Sequence, residues 1–207
     1  MPSKLSVFND ALLILTQALL DNPDPHPSNE RSRVLNANWQ AVVEQCLEQA
    51  AWDFAEVRGE LSRVHPPPAF GYAYYYGLPT DCLRLTFVSE TGIEGDDLLR
   101  YKVEAGKIAT DAETVYAKWV SSTAIDLPGR WSSTFARYVS AELAIRSLKL
   151  NTAAAEIANK ERQDARKAAM GVDAVQNPPA FRKPGRWIKS IRTGSRDRDG
   201  GPVSSFS

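Results

Sequence analysis

Leu35, Trp39, Val42, Val43, Cys46, Leu47, Ala50, Phe54, Val57 and Leu61 recur at steps of three and four, giving the chain one long apolar stripe. The spacing predicts a single helix that carries this stripe through to Leu61, its start capped by Ser28 or Asn29. An amphipathic helix of that length cannot stand alone in water, because its apolar face must be covered. The rest of the sequence must therefore supply neighbours.

Three further helices are predicted. Leu5, Phe8, Leu12, Leu15 and Leu19 mark one that ends before Asp21, after which Pro23, Pro25 and Pro27 forbid continuation. Trp131, Phe135, Tyr138, Val139, Leu143, Ile145 and Leu148 form a broad apolar face that Asn151 ends. An Ala-rich helix over Thr152–Met170 follows, its small side chains suited to close packing and Gly171 suited to the stop.

Between these helix pairs the period changes to two. Pro66, Pro67 and Pro68 stiffen the exit from the long helix. Leu83, Leu85 and Phe87 then alternate with Arg84, Thr86 and Val88, and Leu99, Tyr101 and Val103 with Arg100, Lys102 and Glu104. Ala105-Gly106 reads as a tight turn into Lys107–Thr110, and Val115–Val120 as a last strand. These segments predict a four-stranded antiparallel meander over residues 80–120. The expected class is thus α+β, mainly α. Residues 1–65 and 128–172 would make a four-helix bundle of two helix pairs, 66–127 an aromatic loop and a small inserted antiparallel β-domain, and 173–207 an extended basic C-terminal arm.

Composition narrows the function classes. With 43% hydrophobic and 24% charged residues in 207, the chain is of globular type. Lys plus Arg equals Asp plus Glu at 25 each, so no overall basic charge argues for nucleic acid. The balance conceals an asymmetry: residues 176–207 hold seven basic and two acidic side chains, net +5, which leaves net −5 for residues 1–175. Two cysteines, Cys46 and Cys82, are too few for a disulfide framework or a zinc cluster and point to a reducing compartment. The apolar run Ala11–Leu20 is far short of the about 20 residues that cross a bilayer.

Catalytic patterns are missing from the sequence. His26 and His65 lie among prolines with no metal-ligand companion, and there is no nucleophile elbow, phosphate-binding glycine loop or CxxC. Cys46 lies on the apolar stripe as a small core residue, and Asp96-Asp97 read as a solvated turn. No enzyme, cofactor or metal is expected.

Two segments invite interaction readings. Phe70, Tyr72, Tyr74, Tyr75 and Tyr76 place five aromatics in seven residues, as an interface loop or as a clamp of the sheet onto the helices. The C-terminal segment lacks the apolar content for its own core and carries Phe181, Arg182, Lys183, Arg186, Trp187, Ile188 and Arg192. Its aromatics favour a protein groove as anchorage, with the cations meeting carboxylates.

Ala51-Trp52-Asp53-Phe54-Ala55 with Arg58 and Leu61, the run from Pro68 through Tyr72 and Tyr76 to Leu78-Pro79-Thr80-Asp81-Cys82-Leu83-Arg84-Leu85, and Tyr101-Lys102-Val103-Glu104 together resemble the head-to-tail adaptor proteins of tailed bacteriophages, relatives of the tail tubular protein A group. The most specific part is the W-x-F-A segment followed by the aromatic run and L-P-x-D-C-L-R. Residues 120–130 depart from the pattern, lacking a clear acidic and aromatic lead into the third helix. The resemblance implies a structural virion protein, made in the host cytoplasm and assembled as a dodecameric ring at the neck of the particle. Its partners would be its own copies, the portal protein, and a tail nozzle, stopper or tail-completion protein. Genomic DNA would pass through the lumen without sequence-specific binding. The alternatives are a stopper or tail-terminator ring of the same neck, and a nucleic-acid-binding module with a basic tail.

Overall fold

The computed structural model describes residues 1–26, 28–93, 99–147 and 152–176. Helix α1 (Lys4–Ile14) opens on a reciprocal Ser3–Ser6 capping box and buries Val7, Phe8, Ala11 and Leu12. It stops six residues, nearly two turns, short of the predicted end. Thr16 takes a positive φ of 53°, and the Asn9 side chain holds Leu20 by both its N–H (2.8 Å) and its carbonyl (3.0 Å). That amide folds the chain back and returns Leu20 to the core.

Helix α2 (Glu30–Glu48) is capped by the Asn29 side chain, which accepts from Ser32 N–H. The long helix expected to run through to Leu61 ends at Glu48, and this is a correction. Phe54 lies in a 3-10 turn (Asp53–Ala55), and Val57 lies in strand β1 (Glu56–Glu60). The Trp52 indole N–H donates to the Cys46 carbonyl at 3.0 Å, satisfying one of the open acceptors at the helix end.

Six more strands follow: β2 (Arg63–Val64), β3 (Tyr74–Gly77), β4 (Cys82–Ser89), β5 (Tyr101–Glu104), β6 (Lys107–Thr110) and β7 (Tyr116–Ser121). The single meander is also corrected. One antiparallel sheet has the order β1-β7-β4 and the other β2-β3-β6-β5. Only β5 and β6 pair as expected, across the turn where Ala105 (φ 49°) and Gly106 (φ 70°) supply the two positive φ values of a tight hairpin. Two 3-10 turns (Ser122–Asp126 and Pro128–Arg130) lead to α3 (Ser133–Ser147) and then α4 (Thr152–Gln176). Helix α4 passes through Gly171, where a stop was expected.

A mainly helical four-helix bundle carrying a small insert is therefore overturned. Among the described residues four helices share the chain with seven strands in two antiparallel sheets, a mixed α and β fold. Helix α3 packs against α1, α2 and α4. The helical core holds an aromatic chain. Phe8 meets Trp39 edge-on at 5.4 Å, Trp39 stacks on Trp131 at 5.6 Å, and Trp131 meets Phe135 at 5.1 Å. Phe135 in turn touches Trp52 and Phe54, each at 4.9 Å, so the turn before β1 is packed into the helices. A second core of Leu61, Tyr76, Val88, Ile108, Val115, Ala117 and Trp119 joins the two sheets.

Candidate interaction surface

Of the segments compared with phage adaptors, W-x-F-A and L-P-x-D-C-L-R meet at the seam between helices and sheets, whereas Tyr101–Glu104 forms β5 at the edge of the four-stranded sheet. Trp52, Phe54 and Ala55 pack in the helical core. From the other side of the seam, Asp81 accepts from the Ser121 hydroxyl and, at 3.3 Å, from the Trp119 indole, while its carbonyl accepts from Ser122 N–H at 2.8 Å. The Arg84 guanidinium donates to the Glu48 carbonyl at 3.0 Å, placing a cation at the negative end of α2. The W-x-F-A and L-P-x-D-C-L-R segments are thus two halves of one structural joint.

The aromatic run is divided by the structure. Tyr74, Tyr75 and Tyr76 form β3, with alternating faces. Tyr76 is buried between the sheets, and its hydroxyl donates to the carbonyls of Ala112 (2.9 Å) and Glu113 (2.6 Å). Arg63 lies opposite Tyr76 on β2, covers the Tyr74 ring at 3.7 Å and donates to the Glu113 carbonyl at 3.1 Å. On the opposite face Lys107 stands 5.2 Å over the Tyr75 ring. The Tyr75 hydroxyl donates to Glu104 at 2.6 Å, a bond that with Lys102 at 3.2 Å holds the Glu104 carboxyl below its usual range. Arg100 stands 5.5 Å over Tyr72.

Each of these four tyrosines is therefore engaged within the chain. Phe70 is the exception. It is 89% exposed, at the tip of the loop joining β2 to β3, where Pro66, Pro67 and Pro68 stiffen the approach and Gly71 takes a φ of 90°.

Phe181, Arg182, Lys183, Arg186, Trp187, Ile188 and Arg192 lie outside the described residues, as do Asp96 and Asp97. The structure does locate the helix that leads to the basic segment. Ala158, Ala165 and Ala169 bury one side of α4, and Arg137 of α3 pairs with Glu161. Near its end, Asp173 accepts the Asp53 backbone N–H at 3.0 Å. Burial raises the Asp173 carboxyl above its ordinary value, and the neighbouring Asp53 and Glu56 add to the rise against the lowering effect of that hydrogen bond. Nothing in the sequence separates Asp173 from any other helical carboxylate; its role is set by a partner 120 residues away.

Cys46 is fully buried, and burial followed by the nearby Glu142 carboxylate pushes its thiol far above the ordinary range, an unreactive state. His26 is engaged with the Ser28 hydroxyl at 2.7 Å, beside a cavity of about 550 Å³ formed by the α1–α2 connection. Among the described residues no group of three or more His, Cys, Asp or Glu side chains is placed to hold a metal, and no helix is long and apolar enough to cross a membrane. A second groove of about 300 Å³ opens on the three-stranded sheet, lined by Arg58, Gly59, Glu60, Phe87, Gly92, Tyr116, Ala117 and Lys118. Phe87 and Tyr116 are separated by nearly thirty residues in sequence, and only the β4–β7 pairing brings their strands together.

No protein-family model matches the chain, and no curated protein matches it.

Proposed function

We propose that the chain is a structural subunit of a phage neck, a head-to-tail adaptor that assembles as a ring between portal and tail components and lines the DNA passage. The observation that carries this reading is the anchorage of α4. Asp173 ties the helix to the turn Asp53–Ala55, so the basic segment after Gln176 starts from the same joint that carries the adaptor-like residues. A segment of net charge +5 that follows this joint suits capture by an acidic groove on a neighbouring subunit or portal.

Charge supports the same reading. Residues 1–175 are net −5, and a wall of that sign, repeated around a ring, repels phosphates that a conduit must let slide. The mixed fold replaces the helical bundle that the apolar spacing predicted, and the adaptor role needs only a stiff wall and an arm.

Deleting residues 177–207 and measuring co-sedimentation with portal rings tests the proposal. Loss of binding with unchanged circular dichroism is expected. Undiminished portal binding would remove the arm from the account. Retention of duplex DNA at moderate salt by the intact chain, abolished by the deletion, would favour the nucleic-acid-binding module instead.

A further inference from the structure

We propose that strand β5 of one copy pairs antiparallel with β5 of a second copy about a two-fold axis at Val103, joining their four-stranded sheets edge to edge. A two-fold contact closes at two copies and so stands apart from the ring reading.

Strand β5 is an edge of the sheet β2-β3-β6-β5, and Tyr101, Lys102 and Val103 are all exposed along it. The other edges are blunted in ways that keep edges unpaired. Against β7 the register of β4 shifts twice, β2 is two residues long and leads through His65 into Pro66, Pro67 and Pro68, and β1 starts beside Ala55 in the helical core. By contrast β5 keeps an unbroken register with β6, from Glu104↔Lys107 to Tyr101↔Thr110.

The phase of that hairpin decides which backbone groups face outward. Glu104 and Lys107 flank the two-residue turn and exchange hydrogen bonds with each other, so Tyr101 and Val103 turn their N–H and C=O groups away from β6. A second strand can therefore bond reciprocally to Val103. Directly opposite residues share a face, and Val103 stands opposite Ile108 of the inter-sheet core. Ile108 is fully buried, yet Val103 is 48% exposed. The apolar face thus runs past its own cover at β5, and a second Val103 set beside the first continues it.

Charge selects a second β5 and one register for it. With Val103 opposite its counterpart, Lys102 of each copy stands opposite Glu104 of the other, on the face away from the core. Moving the axis to Lys102 sets ammonium against ammonium, and moving it to Tyr101 sets Lys102 against Arg100. Both charges remain open to a neighbour. The Lys102 side chain is 66% exposed, and a carboxylate offers about four acceptor sites, of which Tyr75 and Lys102 occupy two on Glu104. The pairs across the axis therefore add to the bridge within each strand.

Sedimentation velocity of the full-length chain, without portal, tests this. A concentration-dependent dimer is expected for the wild type. Val103→Pro removes an outward N–H, a change that edge strands tolerate, and should abolish the dimer with circular dichroism unchanged. Lys102→Glu and Glu104→Lys, each alone, place like charges opposite each other twice across the axis and should weaken dimerisation by about tenfold. Mixed in equal amounts, the two variants set a carboxylate opposite an ammonium at both positions and should recover the wild-type affinity as a heterodimer. Mixing mends neither chain's own bridge, so the recovery reads the contact between copies alone. Should Val103→Pro fail to fold, the charge mixture decides. A dimer that survives Val103→Pro, or a mixture that associates no better than its components, would overturn the proposal. A wild-type chain that is monomeric at every soluble concentration would overturn it too and leave this edge to a strand of another protein.

Discussion

Phe135→Ala removes the ring on which the helical core converges. Phe135 is fully buried and lies within 5.1 Å, centroid to centroid, of Trp52, Phe54 and Trp131, with Tyr138 at 6.4 Å. Truncating a buried Phe costs about 3–5 kcal/mol through lost transfer energy and the cavity left behind. Edge-to-face partners add about 0.5–1.5 kcal/mol each in favourable cases, which places this site at the upper end of that range. Against a total stability of about 5–15 kcal/mol this is a large fraction, and in a chain of this size it lowers Tm by roughly 10–15 °C. Urea unfolding followed by tryptophan fluorescence should show the midpoint falling with the slope nearly unchanged. Because Trp52 and Phe54 belong to the turn that receives Asp173, the variant should also increase hydrogen exchange at the end of α4. A loss below about 1.5 kcal/mol would refute the reasoning, since it would mean that Phe135 does not tie α3 to that turn.

Other substitutions separate structural from interaction roles. Tyr76→Phe deletes the donor to the Ala112 and Glu113 carbonyls inside the sheet core and should cost about 1–2 kcal/mol in thermal unfolding, without altering portal binding. Asp173→Asn keeps an acceptor for Asp53 N–H and removes the half-buried charge. Since the native carboxyl is raised, wild-type stability from this group is present below the unfolded carboxylate pKa and is lost as pH rises through the native value. A pH series of Tm should thus show the Asn variant without that loss and no less stable than wild type at pH 7. Native-state thiol titration should find Cys46 silent until unfolding, with the half-buried Cys82 reacting first; rapid reaction of Cys46 would contradict its burial.

The sequence was legible where pattern and packing agree. Residues 107–110 and the Ala105-Gly106 turn are readable because the hairpin is local, and its positive φ values fall on a small residue and a glycine. The over-long second helix shows the opposite case. Phe54, Val57 and Leu61 happen to continue the step of three and four, yet Glu56–Glu60 becomes a strand because β7 pairs with it from Glu56↔Val120 to Glu60↔Tyr116. Local periodicity cannot reveal a partner that is some sixty residues away. The meander failed for the same reason: the strands of 82–121 exist, but β4 chose β7 and β6 chose β3.

The candidate site divides along similar lines. Five aromatics in seven residues were visible, and so was the choice between interface and clamp. What separates Phe70 from the four tyrosines is the set of Arg63, Arg100, Lys107 and Glu104, brought in by three other segments. The cationic and apolar residues of the arm, from Phe181 to Arg192, were equally visible; their structure lies outside the described residues.

Electron microscopy of purified chain mixed with portal rings tests the central proposal most directly. A closed ring of copies seated coaxially on the portal, absent when residues 177–207 are deleted, is predicted. Portal rings that remain bare in the presence of excess intact chain would contradict it.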